Sequence, residues 1–299
     1  MPLSSNSFFH FTSGGFNALT GILTNGFKVS VSHEITYNSA PSKTMLGIPM
    51  VCLCDIPLSL VHRHANHFCS HNVFGIGMTR TWGERKLSPV QYYPRQQDFY
   101  FAENLNYLSD LVLTNRKLLT DTRIDRNFDA VAEMLEGDCF FINSGGTPKY
   151  LNWLTGLIKP VRSDYYKFDL QSKSIVLAHK EYSFYDEREW RYIGRGQQPL
   201  NFPIPYYSEQ PFPIIDIDVY IKCSEDLKMH YASEPEYLGF CADEITWIIV
   251  DTEASVRELI CKINDLDKIG GISAGSIDRY AIIQKIVSYE RLQSDMSSF

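Results

Sequence analysis

The sequence predicts an α+β fold: a single domain over residues 1–299 with a mainly helical insertion at about residues 101–160. Three observations predict it. Short apolar strands alternate with short helices up to about residue 93. Helical periodicity of 3.6 then dominates from 101 to 160. Strand patterns return after 161, before a closing helix and tail.

Each element follows from local chemistry. SFFHFT at 7–12 reads as a strand, broken by Gly14-Gly15. In FNALTGILT, Phe16, Leu19, Ile22 and Leu23 fall on one helical face. Asn25-Gly26 stops that helix, with Gly26 suited to a left-handed cap. FKVSVS follows as extended chain. IPMVCLCDIPL at 48–58 is an apolar strand ending in Asp-Ile-Pro, and a helix starts near Pro57. VFGIGMT at 73–79 is a strand whose glycines permit close approach of a neighbouring chain. SPVQYYP is a short extended piece.

FAENLNYLSDLVLTNRKLL, FDAVAEMLEGDCFFI and YLNWLTGLI supply the helical insertion, with INSGGTP as a loop between helices. Residues 161–194 return to strands. Pro199, Pro203, Pro205, Pro211 and Pro213 make 198–213 an irregular loop. IIDIDVYIK and ITWIIVD are apolar strands, and Thr252 N-caps the helix in TEASVRELICKINDL. RYAIIQKIVSYERLQSDM closes the fold.

Composition narrows the function. Hydrophobic residues make up 44% and charged residues 21%, as in a soluble globular protein. The formal charge of −7 excludes a protein coated in basic surface, so any nucleic-acid contact needs a local patch. The 7 cysteines are odd in number and show no framework spacing. No signal-peptide pattern opens the chain and no apolar run is long enough to span a bilayer. Free thiols in a reducing cytoplasm, with no membrane partner, are expected.

Three stretches carry candidate chemistry. His62, His64, His67, Cys69 and His71, with Cys52 and Cys54 upstream, could be read as zinc ligands or as the centre of a metal-dependent nuclease. Their spacing matches no standard ligand pattern, and we read them as hydrogen-bonding or groove-lining imidazoles. FHFTSGG places His10 and Thr12 at a strand end beside Gly14, donors and backbone suited to a ribose or an amide. In SFYDEREWRYIG, strand alternation puts Glu187, Glu189 and Arg191 on one face and Arg188, Trp190 and Tyr192 on the other. Two carboxylates so close need a compensating cation, and Arg191 can be one. Such carboxylates suit a reaction with an oxocarbenium-like transition state. The competing reading is a solvated strand with cross-strand salt bridges.

FHFT, ILTNGF, VCLCDIPLSLVHRHANHF, VFGIGMTRTW followed by SPVQYY, YDEREWRYI and IQKIVSYERLQSD together resemble the AbiGi family of bacterial abortive-infection proteins, in the right order over most of the chain. That resemblance implies a component of phage resistance, toxin or antitoxin, with a cognate partner protein. The N-terminal His-x-Thr, short helix and Asn-Gly-Phe also resemble NAD-dependent ADP-ribosyltransferases, with Glu187-Arg188-Glu189 resembling their Glu-x-Glu. This second resemblance implies a split β-sheet core and NAD as substrate. It places His10 and Thr12, with Gly14, Arg80 and Tyr93, on the cofactor side. It implies Glu189 as the acid that stabilises the oxocarbenium and Glu187 as the group that orients the nucleophile. The target is expected to be RNA or DNA, with protein as the alternative. Arg80, Arg85, Lys86 and Arg95, with Tyr92 and Tyr93, would supply the local basic patch. A non-catalytic antitoxin or sensor is the competing function.

Overall fold

A computed structural model describes residues 5–37, 43–68, 72–93, 157–169, 174–194, 229 and 231–296. Strand β1 (Ser7–Thr12) leads into helix α1 (Gly15–Asn25), then β2 (Phe27–Lys28), β3 (Ser30–Tyr37) and the long β4 (Lys43–Cys54). Helix α2 (Val61–Phe68), β5 (Phe74–Thr79), α3 (Arg80–Lys86), β6 (Ser88–Pro89) and β7 (Gln91–Tyr93) follow. After the undescribed stretch come β8 (Ile158–Pro160), β9 (Arg162–Asp169), β10 (Ser174–Ser183) and β11 (Glu189–Ile193). The C-terminal part holds β12 (Tyr237–Leu238), β13 (Ile245–Val250), α4 (Glu253–Asn264), β14 (Lys268–Ile269), β15 (Ile272–Ser273), α5 (Ser276–Ile283), β16 (Ile286–Ser288) and α6 (Tyr289–Met296).

The fold is α+β, as expected. The main sheet runs β16-β13-β5-β1-β4-β11-β6, with β3 also on β4, and is mostly antiparallel. Its two halves meet at one residue pair. β1 pairs along its whole length with β5, from Ser7↔Thr79 to Thr12↔Phe74, but its ladder with β4 is the single pair Phe9↔Cys54.

The glycines of β5 explain how β1 sits so close. Phe9 and Phe11 face Gly77 and Gly75 across the ladder, and a Cβ at either glycine would fall 3.0 or 2.8 Å from those rings. Aromatic rings therefore cover the glycines and fix the register. Helix α1 ends where the sequence indicates. Gly26 has φ 92°, and a Cβ there would lie 2.7 Å from the Leu238 carbonyl oxygen. Its ψ of 179° is extended, so the glycine launches β2 rather than forming the left-handed cap expected. Thr252 caps α4 as predicted, its side chain accepting from the Ser255 N–H.

The larger core covers one face of the sheet with Phe8, Leu19, Leu53, Ile76, Trp82, Ile248 and Leu259. Burying each such side chain contributes about 1.5–3 kcal/mol. Phe9, Cys54, Val61, Ala65, Ile249 and Tyr289 pack on the other face. No helix among the described residues is long and apolar enough to cross a membrane.

Two expectations are corrected. Residues 158–160 form a strand, so the helical run does not reach 160; residues 101–156 lie outside the described residues, as do Arg95, the Pro-rich loop and the strand expected at 214–222. SFYDEREWRYIG is not one strand. Phe184–Glu187 forms a 3-10 turn, Arg188 is left-handed at φ 44°, and the strand begins only at Glu189.

Candidate functional site

The site grows from the way β4 is shared. At Cys54, β1 and β11 both pair with β4, so they lie on opposite edges; at Met50, β3 and β11 do the same. Hence β1 and β3 occupy one edge of β4 and leave a gap between them at Val51, Cys52 and Leu53. A side chain fills part of that gap. His10 Nδ1 lies 2.8 Å from the Cys52 carbonyl oxygen. A carbonyl only accepts, so Nδ1 carries the proton and Nε2 is the acceptor nitrogen of the neutral ring. Burial holds the His10 pKa below its ordinary value, with the Cys52 carbonyl opposing.

A pocket of about 470 Å³ opens at this gap, lined by His10, Thr12, Ile22, Ser30, Cys52 and Tyr237 among others. It lies against the last turns of α1. Its size suits a nucleoside-sized ligand, and its walls combine apolar side chains with a few polar groups.

On the other face of the sheet, two carboxylates converge on one ammonium. Lys159 Nζ lies 2.9 Å from Glu187 Oε2 and 2.7 Å from Glu189 Oε2. Arg191 grips Glu189 with both arms of its fork, Nε to Oε1 and Nη2 to Oε2, each at 3.0 Å. The Tyr182 hydroxyl donates to Glu187 Oε1 at 3.0 Å, and the Glu189 N–H donates to the Tyr92 hydroxyl at 2.9 Å. Both glutamates are 6% exposed and Arg191 is 1% exposed, so the cluster belongs to the interior and the solvated-strand reading does not hold.

The local backbone delivers this arrangement. Glu189, Arg191 and Ile193 share the buried face of β11 by alternation, while Trp190 and Tyr192 pack toward the larger core. Glu187 arrives by a different route, through the 3-10 turn and the left-handed Arg188. Glu181, at φ 52°, is the other non-glycine residue of positive φ among the described residues. The two bracket the segment that presents Tyr182 and Glu187. Backbone strain of this kind, at about 1–3 kcal/mol per residue, concentrates at functional sites.

The glutamates are electrostatically unequal. Burial pushes the Glu189 pKa up, but the Arg191 guanidinium and then Lys159 outweigh it and hold the carboxyl well below its ordinary range. For Glu187, burial outweighs Lys159, and the carboxyl is raised. Burial raises the Tyr182 and Tyr92 hydroxyls too. The Cys54 thiol is pushed well up by burial, then by Glu189 and Glu187.

Cys52 joins the two regions. Its carbonyl accepts from the His10 Nδ1–H, and its thiol donates to the Glu189 carboxylate. By register, Phe9, Cys54 and Glu189 point to one face, so His10 and Thr12 point to the other. The structure therefore groups His10 with Thr12 at the pocket, groups Glu187 with Glu189 behind it, and separates the groups by β4.

Arg80, expected on the cofactor side, does not line the pocket. It pairs with Asp55 at 3.2 Å and Glu84 at 2.7 Å and donates to the Ser5 carbonyl, tying the N-terminus to the Asp-Ile-Pro turn. Gly14 donates its N–H to Thr12 Oγ1 and lies outside the pocket lining. Tyr93 sits in the β7–β8 ladder opposite Pro160, and its neighbour Tyr92 reaches Glu189 instead. Arg85 pairs with Glu244. Lys159 was missed by sequence reasoning, because an isolated Lys-Pro pair carries no local signal.

The histidine cluster divides. His64 Nε2 lies 2.9 Å from Cys54 Sγ, and His62 Nδ1 meets the Ser59 carbonyl at 3.0 Å. The His67 side chain, Cys69 and His71 lie outside the described residues. Among the described residues, no group of three His, Cys, Asp or Glu side chains is placed to hold a metal ion.

Comparison with known proteins adds family. A family model described as "abortive phage resistance protein AbiGi, antitoxin" matches residues 25–251. The abortive phage resistance protein AbiGi of Lactococcus lactis subsp. cremoris is 25% identical over 267 residues, covering 88% of this chain and 94% of that protein. No solved structure matches. The match to the family model spans most of the chain, including β4, Lys159, Glu187 and Glu189, and the chain belongs to the AbiGi family of abortive phage resistance proteins.

Proposed function

We propose that this AbiGi-family protein acts in phage defence as an NAD-dependent ADP-ribosyltransferase toxin that modifies nucleic acid. NAD is the substrate, with its nicotinamide riboside end in the pocket beside His10 and Thr12. The His10 Nε2 acceptor and the Thr12 hydroxyl suit ribose hydroxyls or the carboxamide. The bond from C1′ of the ribose to the nicotinamide nitrogen breaks, and its electron pair leaves with nicotinamide. Glu189, a fixed anion behind β4, stabilises the positive charge that develops on the ribose through the low-dielectric sheet rather than by contact. A nucleophilic oxygen or nitrogen of the target then bonds to C1′ and loses its proton to solvent.

The observation that carries this reading is the Cys52 connection. One residue meets the pocket histidine through its carbonyl and the buried acid through its thiol. The single-pair register between β1 and β4, with the pocket beside it, is in keeping with this reading.

The test is incubation of purified protein with NAD labelled in its adenylate phosphate, plus cellular RNA, DNA and protein. Label is expected on nucleic acid, and is expected to vanish with Glu189→Gln. Label on protein would move the target class. Absence of transfer by the wild type, or transfer that survives Glu189→Gln, contradicts the reading.

A second reading has its own support. Arg191 and Lys159 engage both Glu189 oxygens, as in an acid retained for structure. That favours a non-catalytic antitoxin or sensor with a cognate protein partner. Co-purification of one partner in fixed ratio, with no heat of NAD binding, is its expected signature.

A further inference from the structure

We propose that Lys159 is a positioning residue that divides the work between the two glutamates, fixing Glu189 as a permanent anion and leaving Glu187 as the group that exchanges a proton. This rests on the transferase reading for its chemistry, while its charge argument stands on the geometry alone.

Glu187, Glu189, Lys159 and Arg191 form a buried set of two anions and two cations, every member in contact with another at 3.0 Å or less. The partners are not shared equally. Arg191 faces only Glu189 of the pair, through both guanidinium arms. Among the described residues, Lys159 is the one cation that touches both carboxylates, and the cation Glu187 depends on. Glu187 otherwise has the neutral Tyr182 hydroxyl.

Other titratable groups around Glu187 do not replace Lys159. From β11 come Glu189 and Arg191, from β10 Tyr182, from β9 Tyr165 against the Tyr182 ring, from β7 Tyr92, and from β4 Cys54. Tyr182, Tyr92 and Cys54 are neutral groups whose protons burial retains. Removing the Lys159 charge leaves two carboxylates and one guanidinium. The set then takes up a proton, because like charges at this distance do not both ionise in the interior. Glu189 keeps its fork, so the proton goes to Glu187.

Lys159 is placed to hold this position. β8 is paired in parallel with β7, with Tyr92 directly opposite Lys159. Tyr92 in turn accepts from the Glu189 N–H. The ammonium is also 5.3 Å from the Phe184 ring centre, in the turn that delivers Glu187. One residue thus contacts the strand acid, the turn acid and the turn itself. Lys159 keeps Glu187 Oε2 ionised, while Glu189 is held by both cations.

The test is a carboxyl ¹³C NMR titration of the full chain labelled at glutamate, for wild type, Lys159→Met and Lys159→Arg, with Glu187→Gln and Glu189→Gln for assignment. Lys159→Met is expected to raise the Glu187 midpoint by at least about one pH unit and the Glu189 midpoint by less, because Arg191 still grips Glu189. Lys159→Arg is expected to restore the wild-type order. Tyr182→Phe, which keeps all charges, is expected to move Glu187 by less than Lys159→Met. A Glu189 midpoint that moves while Glu187 stays, or no movement of either, overturns the proposal. The acid limb of label transfer from NAD is expected to shift with Glu187. If the NMR order holds and the wild type transfers nothing from NAD, the charge assignment stands and the transferase reading falls.

Discussion

Replacing Arg191 by methionine removes both guanidinium donors from Glu189 while keeping much of the side-chain volume. Arg191 is 1% exposed and Glu189 6% exposed, and the two bonds between them are each 3.0 Å. Breaking a buried pair from one side leaves a charge without its partner and costs about 3–5 kcal/mol. Lys159, at 2.7 Å from Glu189, compensates in part and places the expectation at the lower end of that range, about 3 kcal/mol. The double variant Arg191→Met, Glu189→Gln removes the stranded anion and is expected to recover most of the loss. The pH dependence has a definite sign. Glu189 is held below its ordinary value of 4.5 chiefly by Arg191 against burial, so its contribution is complete above that value and fades as pH falls toward the folded-state value. The gap between wild type and Arg191→Met therefore narrows in acid. Urea denaturation at pH 7 and at pH 4 measures both effects. A single variant within about 1 kcal/mol of wild type at pH 7, or a double variant no more stable than the single, refutes the reasoning.

Two other outcomes follow from packing and burial. Gly83→Ala would put a Cβ 2.2 Å from Phe8 Cδ2, a ring itself wholly buried, and is expected to cost about 1–3 kcal/mol by overpacking, read as a lower melting temperature. The Cys54 thiol, raised by burial and by both glutamates, is expected to react with an aromatic disulfide reagent only on unfolding, whereas exposed Cys241 and Cys261 react in the native state; the order of modification by mass spectrometry checks this.

Much of this fold is written locally. Phe16, Leu19, Ile22 and Leu23 announce α1 by their spacing, and Gly26 marks its end because no other residue suits φ 92° against the Leu238 carbonyl. Thr252 announces α4 in the same way. The two glutamates stand out because paired acids among aromatic side chains ask for compensation. What the local pattern hides is the route by which they meet. Arg188 adopts a left-handed conformation without being glycine, so the 3-10 turn at Phe184–Glu187 leaves no signature in the sequence. Lys159 is equally silent, since its importance comes from a β8 that docks on β7 and faces acids 28 and 30 residues away. The same holds for the gap at Cys52. It exists because β1 meets β4 at one pair and β3 stops short on the same edge, a matter of topology that no motif encodes. Arg80 shows the converse error, a basic residue after a glycine-rich strand that serves Asp55 and Glu84 instead of a ligand.

The gap beside His10 is the proposed NAD site. Gly21 lines that pocket on α1, and a Cβ there meets nothing within 4 Å. Gly21→Leu therefore fills the pocket from a helix position where losing a glycine is itself favourable by about 0.5–1 kcal/mol, and it leaves Glu187 and Glu189 untouched. Calorimetric titration of NAD into wild type and Gly21→Leu is the most direct measurement. Saturable binding to the wild type is expected, with at least a tenfold loss in a variant that is folded and no less stable. Absence of binding to the wild type, or equal binding to both proteins, contradicts that assignment.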